Sequence, residues 1–366
     1  MIPGQKLSVF VVGTRAQLIK VAPVIVVCEK NRQPVVLLLT GQHKETMADL
    51  IAEFGIETVP ELAVRSTERS TVFSLLRWVP GALIGIFRSL SRHRKKAAPV
   101  NVVVHGDTLS TALGAIASKL SGCKCFHLES GLSSGKLLDP FPEELTRRIV
   151  FRLTDVALCP GNASAEYMRK NHNCEVVDTG ENTIIDSVMM AARVHDEGDA
   201  KSPQGTYIVA SLHRFQNLFD AERLRFLVDL IVTLAADYRI FFVLHPATRK
   251  RLESQGFMSL LMSQPNVVLS PRLGYRDFLG LAAGAACVLT DGGSNQEELA
   301  VLGVPTVIMR QSTERGDGLG QNAVMEQSIT SGVFSYLMSR EFESLRRPSS
   351  VGNDFGPSAL VAHELA

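Results

Sequence analysis

Short, almost wholly apolar runs alternate with longer amphipathic stretches along most of the chain. Residues 7–12, 34–40, 101–105, 123–128, 155–158 and 174–177 read as strands, bounded by glycine and polar residues. Helical periodicity fills 15–30, 44–54, 69–95, 108–121, 142–153 and 162–171 between them. Strands that are apolar throughout and separated by helices predict a parallel sheet covered on both faces. After the hinge-like Asp178-Thr179-Gly180-Glu181-Asn182-Thr183, a second alternation begins. Its strands are expected at 206–211, 239–243, 266–270, 286–289 and 304–308, and its helices at 183–195, 218–236, 274–284, 294–302 and 320–332. The predicted architecture is α/β: two doubly wound, Rossmann-like domains facing a cleft. Their expected bounds are 1–180 and 181–350, with 351–366 forming a terminal helix that packs back on the first domain.

Composition narrows the class without naming it. The 366 residues exceed what one core usually serves, which agrees with two domains. A content of 45% hydrophobic and 20% charged residues excludes a disordered chain, and a net charge of +1 gives no global case for nucleic-acid binding. The six cysteines form no CxxC pair and sit largely in apolar runs, so they read as buried hydrophobes in a reducing cytoplasm. Cys123-Lys124-Cys125 is too tight for an ordinary metal site and reads as structural. The chain enters a strand almost at once, so no secretory leader and no transmembrane helix are predicted. One segment stands apart: 73–96 is apolar, carries the single tryptophan, Trp78, and ends in Arg92, Arg94, Lys95 and Lys96. An interfacial helix in weak contact with a membrane is one reading. The favoured one is a core helix whose basic last turn suits its dipole.

Candidate chemistry gathers at the ends of the predicted strands. One run ends in His105-Gly106-Asp107, another in His127-Leu128-Glu129, and Pro140-Phe141-Pro142-Glu143-Glu144 opens a helix. Parallel strands deliver their C-terminal ends to one edge of a sheet, where α/β proteins place their sites. Several carboxylates brought together suit proton transfer, because charge and burial can separate their pKa values. Gly13-Thr14-Arg15 occupies the first strand-to-helix turn, where Arg15 could hold a phosphate or carboxylate in its planar fork, with Lys20 further along the helix. A surface arginine at a structural turn is the plainer alternative. In the second half, His213-Arg214 ends a strand and could supply a proton donor and a phosphate clamp; His245 ends another. Thr290-Asp291-Gly292-Gly293-Ser294 followed by Gln296-Glu297-Glu298 is a strand, a glycine turn and a helix. Its N–H groups could cradle a pyrophosphate, and Glu297 or Glu298 could accept from ribose hydroxyls; a well-capped βα turn would look the same. The glycine-rich loop 311–320, with Arg315, could close over a ligand or simply connect two elements.

Taken in order, these motifs resemble the UDP-N-acetylglucosamine 2-epimerase family, which has a GT-B fold. The resemblance rests on Gly13-Thr14-Arg15, Ile19-Lys20, Thr40-Gly41-Gln42-His43, His105-Gly106-Asp107-Thr108, His127-Leu128-Glu129-Ser130-Gly131, Pro140-Phe141-Pro142-Glu143-Glu144, Asn182-Thr183-Ile184-Ile185-Asp186, His213-Arg214, Thr290-Asp291-Gly292-Gly293 and Thr313-Glu314-Arg315. It implies removal of the sugar C2 proton with expulsion of UDP. UDP then returns with C2 inverted, or water replaces it and free N-acetylmannosamine leaves. The non-hydrolysing course is the leading expectation, with a hydrolysing epimerase or a GT-B glycosyltransferase using a UDP-sugar as alternatives, and a binding protein without chemistry as a third. By resemblance the catalytic positions are Asp107, Glu129, Glu143 and His213. The substrate-binding positions are Arg15, Lys20, Arg214, Gly292, Gly293, Ser294, Glu298 and Arg315, and Gln42, His43 and His245 are allosteric candidates. No cofactor and no metal are implied. The partners expected are a UDP-sugar and a second copy of the chain in a homodimer, with no nucleic acid. The chain departs from the family pattern at Ala16-Gln17-Leu18, Gln216, Gly292-Gly293-Ser294 and Ser133-Ser134, where the family has Pro-Glu-Ala, Glu, Ser-Gly-Gly and Arg-Thr.

Overall fold

Two parallel sheets, each with its strand order reversing once, organise the computed structural model. It describes residues 5–42, 47–64, 72–96, 99–133, 142–197, 203–313, 315–352 and 354–366. The chain divides into two units, Met1–Ser187 with Gly352–Ala366, and Val188–Val351.

The first unit runs β1 (Leu7–Val12), α1 (Arg15–Lys30), β2 (Val35–Leu39), α2 (Ala48–Glu53), β3 (Glu61–Leu62), α3 (Val72–Lys96), β4 (Val100–His105), α4 (Leu109–Ser121), β5 (Lys124–Leu128), α5 (Glu143–Leu153), β6 (Val156–Cys159), α6 (Asn162–Asn171) and β7 (Glu175–Asp178). α7 (Ile184–Glu197) starts in this unit and runs into the second. The sheet order is β3-β2-β1-β4-β5-β6-β7, so β1 and β4 flank the point where the order turns back. Phe10 faces Leu37 on one side and Val103 on the other in parallel register. Both β1 and β4 are buried along their whole length, which is why they read as continuous apolar runs.

The second unit runs β8 (Tyr207–Ser211), α8 (Phe215–Phe219), α9 (Ala221–Leu234), β9 (Arg239–Leu244), α10 (Pro246–Ser254), α11 (Phe257–Met262), β10 (Val267–Pro271), α12 (Tyr275–Ala283), β11 (Cys287–Thr290), α13 (Gly293–Leu302), β12 (Thr306–Ile308), β13 (Ala323–Met325) and α14 (Val333–Met338). Its order, β10-β9-β8-β11-β12-β13, turns back between β8 and β11. The helix expected at 320–332 is not formed. Ala323–Met325 instead adds a parallel strand beside Thr306–Ile308, followed by a 3₁₀ turn at Glu326–Ser328. The Asn322 amide holds this edge, donating to the Leu299 and Val304 carbonyls at 3.0 and 2.8 Å. A helix through 322 would forgo that pairing, so tertiary hydrogen bonding overrides the helical propensity of Ala323-Val324-Met325-Glu326-Gln327.

The terminal helix α15 (Pro357–Leu365) belongs to the first unit and packs on α1. Buried Asp186 accepts from the Gly356 and Ser358 amides at 3.0 and 2.8 Å, and Asn101 donates to the Leu365 carbonyl at 3.0 Å. α3 buries Trp78, Ala82, Ile86 and Leu90, spaced one turn apart, and the Trp78 indole donates to the Thr40 carbonyl at 3.0 Å. The tryptophan is thus committed to the core and is not an interfacial anchor. Among the described residues no helix is long and apolar enough to cross a membrane.

Candidate active site

In an open parallel sheet the crevice for a ligand lies beyond the strand ends where the order reverses. In the first unit those ends are β1 and β4, with β5 alongside. They carry Gly13-Thr14-Arg15, Gly106-Asp107 and Glu129. Gly13 is required by this closeness: a Cβ there would lie 1.9 Å from Ser110 Oγ at the start of α4. Thr14 caps α1 in a capping box with Gln17. Gln17 is buried and fully used. Its oxygen accepts from the Gly13 and Thr14 amides at 2.9 and 3.2 Å, and its nitrogen donates to the His105 carbonyl and Thr111 Oγ1 at 2.7 and 2.9 Å. A glutamate, the family residue, would accept as well but could not donate when ionised. Here the amide ties the end of β4, and with it Gly106-Asp107, to the first turn of α1.

Glu129 is the strained member of the set. It is a non-glycine residue at φ 63, in the left-handed region, directly after β5. Such a backbone costs about 1–2 kcal/mol and persists only where its surroundings hold it. Lys20 Nζ lies 2.7 Å from Glu129 Oε2, with only 3% and 8% of the two side chains exposed. His105 Nε2 approaches the same oxygen at 3.0 Å. That approach is too oblique for a hydrogen bond, so it is a close contact only. His127, fully buried, bridges the two acid-bearing turns: its Nε2 donates to the Gly106 carbonyl at 2.8 Å and its Nδ1 lies 3.0 Å from Ser130 Oγ. Because a carbonyl only accepts, Nε2 carries the proton and Nδ1 accepts from the serine. Burial pushes the His127 pKa down to about 4, which keeps the ring neutral.

Asp107 pairs with Arg147 Nη2 at 2.5 Å. Arg147 belongs to α5, one turn after Glu143, and was not among the residues singled out in the sequence; its i,i+4 spacing from Glu143 was the available signal. Glu144 is wholly buried, accepting from Ser133 Oγ at 2.6 Å with Arg147 and Arg148 each 3.4 Å away. Glu143 is partly exposed at the N-terminus of α5. The helix therefore divides the pair: Glu144 anchors it and Glu143 remains accessible. Ser133, where the family has a cation, is one of the groups holding Glu144.

Two basic candidates are engaged within the chain. The Arg15 fork grips Asp49 of α2 at 2.5 and 2.6 Å, which holds the Asp49 carboxyl below its usual range. Lys20 is committed to Glu129 as described. The Gln42 oxygen accepts from Ser110 N and Oγ at 3.1 and 2.6 Å, satisfying the start of α4. His43 lies outside the described residues, as do Ser134, Pro140, Phe141 and Glu314 of the quoted motifs.

In the second unit the reversal point is formed by the ends of β8 and β11. Asp291, wholly buried, organises both. It accepts from the His213 and Arg214 amides at 2.9 Å and from Asn217 Nδ2 at 2.7 Å, and lies 3.3 Å from His213 Nδ1. The Asn217 oxygen accepts from Arg223 Nε, and Arg223 Nη2 reaches both carboxylate oxygens of Glu326 at 2.6 and 2.7 Å. Asp291 was quoted in the sequence only as part of a turn; an acid immediately before a glycine pair was its single signal. The His213 ring, 38% exposed, stacks obliquely 5.7 Å from His245, which caps α10. Burial lowers the His213 pKa, opposed by the Asp291 charge and assisted by Arg214 and Arg272.

α13 begins at Gly293 without any side-chain cap. Its first N–H groups and dipole are thus presented where an anion could take them. The glycines permit close neighbours: a Cβ at Gly292 would lie 3.1 Å from His213 Cε1, and one at Gly293 would lie 2.8 Å from Arg315 Nε. Arg315 is ion-paired with Glu297. Gln296 donates to the Arg315 and Asp317 carbonyls at 3.1 and 2.8 Å, so the loop after β12 is tied to α13. Of the two glutamates considered for a ribose, Glu297 is thereby engaged with Arg315, and Glu298 is buried on the same helix. Arg214 borders a cavity of about 830 Å³ that Asn217, Arg223, Arg310 and Ser312 also line. Among the described residues no group of three or more His, Cys, Asp or Glu is placed to hold a metal ion.

Comparison with known proteins finds relatives over nearly the whole chain. The chain is 28% identical over 369 residues to the UDP-N-acetylglucosamine 2-epimerase of Salmonella borreze, covering 95% of this chain and 94% of that one. It is 27% identical over 363 residues to that of Bacillus subtilis, covering 96% and 92%. The crystal structure of the Neisseria meningitidis UDP-GlcNAc 2-epimerase bound to UDP-GlcNAc superposes with a TM-score of 0.80 at 25% identity, covering 99% of each chain. The family model for UDP-N-acetylglucosamine 2-epimerase matches residues 27–351. This chain therefore belongs to the UDP-N-acetylglucosamine 2-epimerase family.

Proposed function

We propose that the protein interconverts UDP-N-acetylglucosamine and UDP-N-acetylmannosamine by eliminating UDP and adding it back to the opposite C2 configuration. The observation that carries this reading is the division of chemistry between the two reversal points. The first unit offers Asp107, Glu129 and Glu143 for the C2 proton. The second offers an uncapped helix N-terminus beside His213 and Arg214 for a diphosphate. Removal of the C2 proton needs a carboxylate held in place, and Glu129 is held by Lys20 and by its own strained backbone. Departure of UDP needs fixed donors aimed at the growing charge, a role that suits the N–H groups at 293–294 with Arg214 and Arg15. Arg15 would have to exchange Asp49 for phosphate. In the same reading Ser294 and Glu298 contact the pyrophosphate and the ribose.

The experiment is NMR of the reaction with UDP-N-acetylglucosamine in deuterated water. Epimerisation gives UDP-N-acetylmannosamine with deuterium at C2. Free N-acetylmannosamine and UDP would mark the hydrolysing course instead, and a reaction with no exchange, no epimer and no UDP would reject both for this substrate. The reading places the enzyme in the cytoplasm, with which its free cysteines, five of the six buried, are compatible. It also takes the enzyme to be a homodimer, which sedimentation equilibrium checks.

A further inference from the structure

We propose that Thr183 and Ser187 are positioning residues: their hydroxyls hold the part of α1 that carries Lys20, and Lys20 holds Glu129, an inference that rests on the epimerase reading above. α1 contains an internal proline, Pro23. Proline has no N–H, so the Ile19 carbonyl, four residues earlier, lacks the donor a helix normally gives it, and the ring crowds that carbonyl. The next carbonyl is that of Lys20, whose ammonium meets Glu129 Oε2 at 2.7 Å. Both carbonyls are met from outside the helix. Ser187 Oγ donates to the Ile19 carbonyl and Thr183 Oγ1 to the Lys20 carbonyl, each at 2.7 Å. A serine in a helix commonly turns back to the carbonyl four residues before it. For Ser187 that is the Thr183 carbonyl, at 3.2 Å, and the contact with α1 is the shorter one.

The start of α7 is itself fixed. Between the two hydroxyls Asp186 accepts from the Gly356 and Ser358 amides of α15, and α15 packs on α1. All of these residues belong to the first unit. Thr183 is 3% exposed and Ser187 0%, so solvent has little access to take the place of either hydroxyl. Lys20 is 2% exposed, so its side chain follows one path through packed neighbours, and a shift of its backbone is passed on to its ammonium. The ammonium in turn meets the carboxylate that the epimerase reading places against the C2 proton. A misplacement of about 1 Å at a reacting centre can cost roughly a hundredfold in rate. Losing one of two hydrogen bonds moves α1 by less, so each should cost less than that.

The test begins with wild-type turnover of UDP-N-acetylglucosamine. With an active wild type, Ser187→Ala and Thr183→Val should each lower kcat about three- to tenfold while KM stays within about twofold, since the change falls on the group that takes the proton. Thr183→Ser keeps the hydroxyl and should keep kcat. If the hydroxyls served stability alone, both variants would melt earlier yet turn over at the wild-type rate while folded, and that result overturns the proposal. So does a Thr183→Ser variant as slow as Thr183→Val. Should neither hydroxyl variant fold, Pro23→Ala decides: it gives the Ile19 carbonyl a donor inside α1, so kcat should fall by a similar factor, and an unchanged kcat overturns the proposal. An inactive wild type would fail the epimerase reading and not this placement. The ¹⁵N resonance of the Lys20 ammonium then decides, because it should move between the wild type and Ser187→Ala, and an unmoved resonance overturns the idea.

Discussion

Lys20 Nζ and Glu129 Oε2 are 2.7 Å apart, with 3% and 8% of their side chains exposed. The pair spans from α1 to the left-handed turn after β5, and both side chains are almost wholly buried. Lys20→Met should therefore strand a buried carboxylate, which costs about 3–5 kcal/mol when one partner of a buried pair is removed. Urea denaturation measures it. The double variant Lys20→Met, Glu129→Gln should recover most of that stability while remaining inactive. A single variant as stable as the wild type would mean that solvent reaches Glu129.

His127 gives a pH dependence with a definite sign. Its folded pKa, about 4, lies below the value near 6.5 of an exposed histidine. Between those values the unfolded chain binds more protons than the folded one, so stability rises with pH. The contribution is complete above about pH 6.5, is lost as pH falls toward about 4, and amounts to roughly 3 kcal/mol at most. Thermal melts of the wild type should show this slope, and His127→Gln should flatten it. Equal slopes would assign the dependence to another group.

Asp291 is the acceptor on which the His213-Arg214 turn hangs. Asp291→Ala removes the acceptor of two part-buried backbone amides and one of the two acceptors of the buried Asn217 amide, the other being the Met309 carbonyl, at about 1–3 kcal/mol for a donor left buried and unpaired. We expect a loss of several kcal/mol in chemical denaturation. The conservative Asp291→Asn should fold better and still bind UDP about tenfold more weakly by calorimetry, because His213 loses its charged neighbour. Unchanged affinity in Asp291→Asn would separate that turn from UDP binding.

Asp186 caps α15 across more than 160 residues of sequence, accepting from Gly356 N and Ser358 N. Asp186→Ala should destabilise the first unit by about 1–2 kcal/mol, as the loss of an N-cap acceptor does. Hydrogen exchange of the α15 amides should accelerate well beyond that of β1 or β4. Exchange at the wild-type rate would show that packing on α1 suffices to hold the helix.

Much of the site was legible because parallel strands announce themselves. Each buried strand is a bare apolar run, and the polar residues that follow it mark the sheet edge. That is how Asp107, Glu129, His213 and the 292–294 turn come to notice. What could not be read were the partners. Asp49 lies 34 residues from Arg15, and Lys20 lies 109 residues from Glu129. Arg147 is not marked by the sequence, and Asp291 is marked only as part of a turn, because their roles are to hold other residues, and that is visible only in space.

The amino-acid sequence by itself determined the alternation of elements, the α/β class and the residues at the strand ends, since these depend on local periodicity and turn chemistry. Only the tertiary structure decided the strand order, and with it which ends stand at each reversal point. It also turned Ala323–Met325 from the helix its composition favours into an edge strand, through hydrogen bonds that Asn322 makes to distant carbonyls. The left-handed backbone of Glu129 belongs to the same class of decision. A glutamate is held there by contacts from elsewhere in the fold, among them the Lys20 ammonium of α1.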